Sequence, residues 1–344
     1  MSKYLIRRLF QAIPLVILIT VFVFFLMKAA GDPLAYMAQD PNITEQDRMV
    51  RRARYGLDDP LPLQFVHWLI GDDWYKRDIA PGEEIVYQYG FRKGIIRGDF
   101  GESIVFRRSV TSVVNDFLPN TLLLGLTSYV IVIAASFGLG VFAALRQYSI
   151  PDNIITAFAF FTYSVPSFLM ALILVQIFAV QFRHWGLPSL PVSGMHDPRG
   201  DGSWDEVLRH LILPCASLSL ITIAGYSRYI RATMLEVINA DYVRTARSKG
   251  LQERRIIYLH ALKNASLPVV TLIGLNLPFV LSGAVITETI FSWPGMGRMY
   301  IQALNGYDYA LVVFFVLITA VAVVLFQLLT DLAYAMLDPR IRYD

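Results

Sequence analysis

Six stretches of this chain are long enough and free enough of charge to cross a lipid bilayer, and nothing else in it restricts the fold so strongly. A bilayer core about 30 Å thick takes roughly 20 apolar residues of helix. With no water inside it, each crossing must satisfy its own backbone hydrogen bonds, which a helix does. The stretches run from about Phe10 to Met27, Thr121 to Leu145, Ile154 to Val180, Leu211 to Tyr226, Ser266 to Thr287 and Tyr309 to Leu329, and none contains Asp, Glu, Lys or Arg. The fourth is the shortest and carries Pro214 and Cys215. Of the 344 residues, 55% are hydrophobic and only 17% charged, which excludes an ordinary water-soluble domain. The expected fold is an all-α polytopic membrane protein with six transmembrane helices.

Six crossings put both termini on one side, and Lys/Arg in short flanking segments marks the cytoplasmic side. Lys3, Arg7 and Arg8 precede the first span, so the N- and C-termini are expected to be cytoplasmic. The loop after the fourth span then also falls inside. It carries Arg228, Arg231, Arg244, Arg247, Lys249, Arg254, Arg255 and Lys263 against Glu236, Asp241 and Glu253, in agreement. The expected organisation is an N-terminal segment with the first helix (1–30), a large extracytoplasmic region (31–119), a core of helices two to six (120–330) with a cytoplasmic loop (228–265), and a cytoplasmic tail (331–344). The basic start, apolar run and small Ala29, Ala30 and Gly31 also fit a cleaved signal peptide, but the run is too long for one and an uncleaved span is expected. A lone cysteine, Cys215, allows no internal disulfide and reads as a small core residue.

Ion-coupled carriers place ionisable residues within the bilayer, and these spans hold none at mid-depth. Nor is there a GxxxxGK[ST] phosphate loop; the cluster Pro294-Gly295-Met296-Gly297-Arg298 lacks its Lys-Ser/Thr ending. If the chain moves a polar solute, another polypeptide supplies the energy. The basic loop is where such a partner would dock. From Arg231 to Lys249 there is no Pro or Gly, and Leu235, Ile238, Tyr242 and Ala246 recur at helical spacing on one face. Arg244, Arg247 and Lys249 suit a helix C-terminus, Gly250 suits its stop, and a second helix is expected from about Gln252 to Ser266. Two helices hinged at a glycine make a rigid projection that can transmit a push.

At Arg244-Thr245-Ala246-Arg247-Ser248-Lys249-Gly250 the chain resembles the membrane subunits of binding-protein-dependent ABC importers, whose cytoplasmic loop carries a Glu-Ala-Ala, three residues, then Gly pattern (the EAA motif). Arg-Thr-Ala departs from its first two positions. That form, with His260-Ala261-Leu262-Lys263-Asn264-Ala265 and Pro268, is similar to the dipeptide/oligopeptide/nickel permease branch. Further resemblances fall in order along the chain: Tyr55 to Pro62, Gly98 to Ser103, Leu118-Pro119-Asn120-Thr121, Glu288 to Gly297 and Asp331 to Arg340.

The resemblance implies a type I importer permease fold in the cell inner membrane, working by alternating access. The implied partners are a second, different permease subunit, two ATPase subunits and an extracytoplasmic substrate-binding protein, besides membrane lipid; no nucleic acid is expected. ATP and Mg would sit on the ATPases, with no cofactor, metal or catalytic residue on this chain. The coupling contact would be Asp241, Tyr242, Arg244, Thr245, Ala246, Arg247 and Gly250, although each arginine is equally explained as a topological anchor. The cargo implied is peptide, with nickel, glutathione or oligosaccharide as alternatives.

Polar and helix-breaking residues inside spans point to a pathway. They are Tyr163, Ser164, Pro166 and Ser167 in the third span, and Asn276, Pro278 and Ser282 in the fifth, and ordinary helix packing explains them as well. Glu288 and Arg298, at the outer end of the fifth span, could form an external gate. The family pattern is interrupted by an insertion, Ile70–Arg97, which reads either as a receptor-facing surface or as a tolerated surface loop. His184, His196 and His210 share one loop without metal-site spacing. A rival reading, a self-standing channel or secondary carrier, would work without an ATPase and would not need the large inner loop. An intramembrane enzyme would need a catalytic set at depth that the spans lack.

Overall fold

A computed structural model describes residues 2–31, 34, 43–79, 86–277, 280 and 284–337. Its helices, in chain order, are α1 (Ser2–Ala30), α2 (Glu45–Tyr55), α3 (Leu61–Ile70), α4 (Val110–Leu145), α5 (Ile150–Ser164), α6 (Ser167–His184), α7 (Trp204–Ile238), α8 (Asp241–Ser248), α9 (Glu253–Asn276), α10 (Val285–Ile290), α11 (Met296–Asn305) and α12 (Tyr309–Leu337). Among the described residues α4, α6, α7, α9 and α12 are long and apolar enough to cross a membrane, and α1 contributes the shorter apolar stretch Phe10–Leu26.

Three spans differ from expectation, each for a local reason. The third is broken: Val165 is extended (φ −86°, ψ 127°) because it precedes Pro166, which excludes the helical region for its neighbour. The fourth, shortest in the sequence, lies inside the 35-residue α7. At 1.5 Å per residue such a helix is about 52 Å long, so it extends past the bilayer core into the charged residues that hid its ends. The fifth starts early, as α9 runs unbroken from Glu253, and Pro278 and Ser282 lie outside the described residues.

The chain divides into two units, Arg7–Phe117 with Met299–Val321, and Leu118–Arg298 with the two chain ends. In the first, α2 is fixed by a capping box in which Thr44 and Asp47 satisfy each other's backbone N–H, and by Gly56 at its C-terminus. Two short antiparallel ribbons follow, β1 (Lys76–Asp78) with β2 (Tyr87–Tyr89), and β3 (Glu102–Ser103) with β4 (Arg108–Ser109). Ser103 donates to the fully buried Asp308 at 2.5 Å, and Asp308 also accepts the N–H of Leu311 at the start of α12.

In the segment expected to be an insertion, the described residues around Asp72, Arg77 and Arg92 are held by buried charge. Asp72, with no exposed surface, accepts from Arg77 (2.8 Å), from the Arg92 guanidinium (3.0 Å) and from the Arg92 N–H (2.9 Å). Arg77 also reaches Asp59 (3.0 Å) and the Nδ1 of buried His67 (3.1 Å). Burial alone would raise the Asp72 carboxyl, but its arginine partners outweigh it and hold it below the usual range. Desolvation, with Arg77 beside it, pushes His67 down.

In the second unit α4, α7 and α9 share a core of Val141, Ala144, Ile230, Met234, Ala261, Ala265 and Val269. A second cluster joins Met170, Ala171 and Leu174 of α6 to Leu213 and Phe291, and a third joins Leu124, Val207, Leu211, Cys215 and Trp293.

Candidate functional site

The basic loop folds as two helices with a turn between them, though not along the expected face. The chain leaves the helix after Ile238: Asn239 caps it, Ala240 is extended (ψ 149°), and α8 restarts at Asp241 on a new axis. The phase of the apolar residues changes with the axis. Val243 and Ala246, three residues apart, turn inward onto Ile256 and Leu251, whereas Tyr242 is 46% exposed. An eight-residue helix does not hold in water by itself. Burying Val243 and Ile256 contributes about 1.5–3 kcal/mol each and keeps it docked on the start of α9.

Asp241, Tyr242, Arg244, Thr245, Arg247 and Gly250 are exposed, and Ala246 is the member of the expected coupling set that packs inward. Arg247 grips Glu253 with two nitrogens (Nη2–Oε1 2.6 Å, Nε–Oε2 3.1 Å), bracing the turn. Arg244 lies 3.6 Å from Asp241, both well exposed. The Tyr242 hydroxyl accepts from Asn264 of α9 at 3.0 Å. Gly250 has φ +75° and its N–H donates to the Arg247 carbonyl at 2.9 Å, a left-handed stop that favours glycine.

The far end of α9 meets a cavity of about 280 Å³ whose polar lining is Thr121, Ser128, Tyr129, Thr222, Asn276 and Glu288. It brings together Asn276, expected in the pathway, and Glu288, expected in a gate. Asn276 donates to the Tyr226 hydroxyl at 2.9 Å. Tyr163, Ser164 and Ser167 lie elsewhere, exposed around the α5–α6 break, where the rings of Phe160 and Tyr163 carry the Arg228 guanidinium at 4.6 and 4.9 Å.

Glu288 has no exposed surface. One oxygen accepts from the Thr121 hydroxyl (3.0 Å), the other from the backbone N–H of Arg298 in the first turn of α11 (3.0 Å). The Arg298 guanidinium turns instead to the Ser292 carbonyl at 2.6 Å. Around this centre the Trp293 indole donates to the Asn120 carbonyl, Asn120 donates to the Pro294 carbonyl, and the Met296 N–H donates to Thr121. A side chain at Gly295 would put its Cβ 2.4 Å from the Glu288 carboxyl carbon. The two sequence motifs, Leu118–Thr121 and Glu288–Gly297, are therefore halves of one clamp.

One residue escaped the sequence reading. Asp152, 1% exposed at the start of α5, holds Arg231 of α7 in a two-pronged pair with both bonds at 2.7 Å. The available signal was Ser149-x-x-Asp152, a helix-start pattern; its partner is 79 residues away.

Residues 136–343 match the family model described as "Binding-protein-dependent transport system inner membrane component", and residues 1–125 match the model of that family's N-terminal region. The chain belongs to this family. The oligopeptide transport system permease protein AppB of Bacillus subtilis is 37% identical over 345 residues, covering all of both chains. The dipeptide transport system permease protein DppB of Escherichia coli is 36% identical over 368 residues, covering all of this chain and 99% of that one. A probable peptide ABC transporter permease of Sinorhizobium fredii is 36% identical over the whole of both chains. A solved amino acid ABC transporter crystallised with histidines overlays 66% of this chain and 94% of its own at a TM-score of 0.48 and 16% identity. As an inner membrane component of a binding-protein-dependent system, the chain is a multi-pass permease subunit.

Proposed function

We propose that this permease subunit forms half of the pathway of an ATP-driven importer of short peptides, with α8 as the helix through which ATPase subunits drive it. The reading rests on one observation: α8 presents its polar face outward and buries Val243 and Ala246 against the head of α9, which runs unbroken to the polar cavity at Asn276. Its 24 residues span about 36 Å at 1.5 Å per residue, so a displacement at α8 reaches the cavity through a single rod. Both termini and α8 lie on the cytoplasmic side by the positive-inside rule. The region between α1 and α4 then faces the receptor. ATP and Mg bind the partner ATPases, and a second permease subunit completes the pathway. Peptide as cargo is supported by the names of the relatives, aligned end to end at 36–37% identity.

The test is reconstitution. Co-expressed with its neighbouring subunits, the chain copurifies with a second permease and with ATPases, and proteoliposomes accumulate labelled di- and tripeptides only with ATP and receptor. Peptide uptake by the lone chain would overturn the reading in favour of a self-standing carrier. Uptake of nickel, glutathione or oligosaccharide, with peptide excluded, would overturn the cargo alone.

A further inference from the structure

A second cavity takes no part in the coupling path. It lies wholly within the unit built from Arg7–Phe117 and Met299–Val321, and its volume is about 640 Å³. Sites for small organic ligands enclose roughly 300–1,000 Å³. The insertion supplies one side of it through Phe91, Arg92 and Gly94, and the buried Asp72–Arg77–Arg92 cluster holds that side rigid. Trp68, Phe91 and Phe100 give it aromatic walls.

Its charges are of both signs, and they divide into committed and uncommitted groups. Arg92 is taken by Asp72, and Asp99 accepts the N–H groups of Lys93 and Gly101. Lys28, Arg51, Arg107 and Glu102 also line the cavity; Lys28 rests over the Phe24 and Tyr309 rings, Arg51 interacts electrostatically with Asp47 one helical turn away, and no ion pair engages Arg107 or Glu102 among the described residues. The Arg51 and Arg107 guanidiniums and the Glu102 carboxylate, set around aromatic walls, complement a small zwitterion carrying apolar side chains.

We propose that this cavity is a holding site for a short peptide with free termini, in which Arg51 and Arg107 take the carboxylate, Glu102 the ammonium group, and the aromatic walls the side chains. It rests on the peptide reading above and places a second substrate site in the region that the positive-inside rule puts on the receptor side. The insertion is then part of a binding wall. Recognition is by charge at both ends of the ligand, so peptide length is limited while side chains vary.

The test uses the assembled complex in nanodiscs without receptor. The probe is the tripeptide Ala-Phe-Ala carrying a photoreactive diazirine on its phenyl ring, compared with the same peptide acetylated and amidated at its ends. The free peptide is expected to cross-link between Trp68 and Arg107 and to bind about tenfold or more tightly than the capped one, the scale of one charge-assisted hydrogen bond. The double variant Arg51→Gln/Arg107→Gln, both positions exposed, keeps the wild-type melting temperature and loses the same factor. Equal labelling by both peptides, unaltered affinity in the double variant, or cross-links confined to residues 118–298 would overturn the proposal. Receptor-dependent uptake of Ala-Phe-Ala is measured in parallel. Uptake without labelling of the cavity overturns this inference and leaves the importer reading standing; variant-sensitive labelling without uptake supports the site and overturns peptide import.

Discussion

Substitutions at Gly250 separate backbone strain from contact loss at the turn proposed as the coupling contact. A Cβ built there meets nothing within 4 Å, so alanine loses no packing. What remains is the left-handed conformation at φ +75°, which costs an L-residue roughly 1–2 kcal/mol. Asn tolerates this region better than Ala and should fall between Gly and Ala. Proline cannot reach a positive φ and also deletes the N–H bond to the Arg247 carbonyl (2.9 Å), a further ~0.5–1.5 kcal/mol. The turn then re-forms elsewhere, and Arg247 loses its register with Glu253. The assays are receptor-stimulated ATP hydrolysis and solute uptake in proteoliposomes, with amide exchange over residues 241–253 to read local opening. Alanine should speed exchange about 5–30-fold, matching its 1–2 kcal/mol. Solute moved per ATP should fall in the order Gly, Asn, Ala, Pro while membrane insertion is unchanged. Wild-type exchange and coupling in Gly250→Ala, or an Asn variant as damaged as Pro, would refute the strain argument.

Asp152→Ala leaves the Arg231 guanidinium without its buried partner; breaking such pairs costs about 3–5 kcal/mol, and the partial exposure of Arg231 puts this one at the low end, read as a lower melting temperature of the complex. Gly295→Ala drives a methyl into the Glu288 carboxyl at 2.4 Å and should destabilise strongly, whereas Gly138→Ala in α4, whose Cβ meets nothing within 4 Å, should stabilise by about 0.5–1 kcal/mol; thermal unfolding of the two variants checks the contrast. The insertion should loosen in acid. Folded His67 resists the proton that the unfolded chain takes up near pH 6.5, and folded Asp72 stays ionised below 3.8, so both contributions are present at neutral pH and are lost as pH falls. Limited proteolysis or amide exchange across residues 71–97 from pH 8 to 2.5 should show protection declining below about 6.5 and falling further below about 3.8 with Asp72, and greater protection in acid would contradict the sign.

The sequence showed most of the membrane architecture because lipid penalises charge so heavily that charge-free runs have few other uses. Where a helix outlasts the bilayer that signal stops: α7 continues through Arg228, Arg231 and Glu236, which no hydropathy reading adds to a span. Gly250 was legible because a positive φ favours one residue type whatever surrounds it. The inward face of α8 was not, since one extended residue, Ala240, resets the helical phase and exchanges Tyr242 for Val243. Glu288 reads as an interfacial charge because its partner Thr121 is 167 residues away. The motifs Leu118–Thr121 and Glu288–Gly297 are both visible in the sequence, but that each completes the other is visible only in three dimensions.

On the coupling role proposed for α8, these contacts let a short helix act as a handle. A push on α8 is useful only if α9 moves as one piece while its neighbours resist. The head of α9 is joined to α8 by Val243, Ala246, Ile256 and the Tyr242–Asn264 bond. Its middle packs through Ala261, Ala265 and Val269 on α4 and α7, and α7 is itself tied to α5 by Arg231 and Asp152. At the far end, Asn276 opens onto the same cavity as Glu288, whose carboxylate is fixed to α4 and α11. The two ends of α9 therefore differ in kind. One is held by apolar contacts with an ion pair and a hydrogen bond at exposed positions, where water can replace either polar partner, and the other borders a buried hydrogen-bonded clamp that breaks or holds. A displacement that small packing shifts absorb near α8 becomes a discrete change only at the clamp, so Thr121→Val, which removes the hydroxyl bridging Glu288 and Met296, should alter solute movement more than it alters ATP hydrolysis. Equal loss of both activities would show that the clamp is scaffold for the whole subunit and that the switch lies elsewhere.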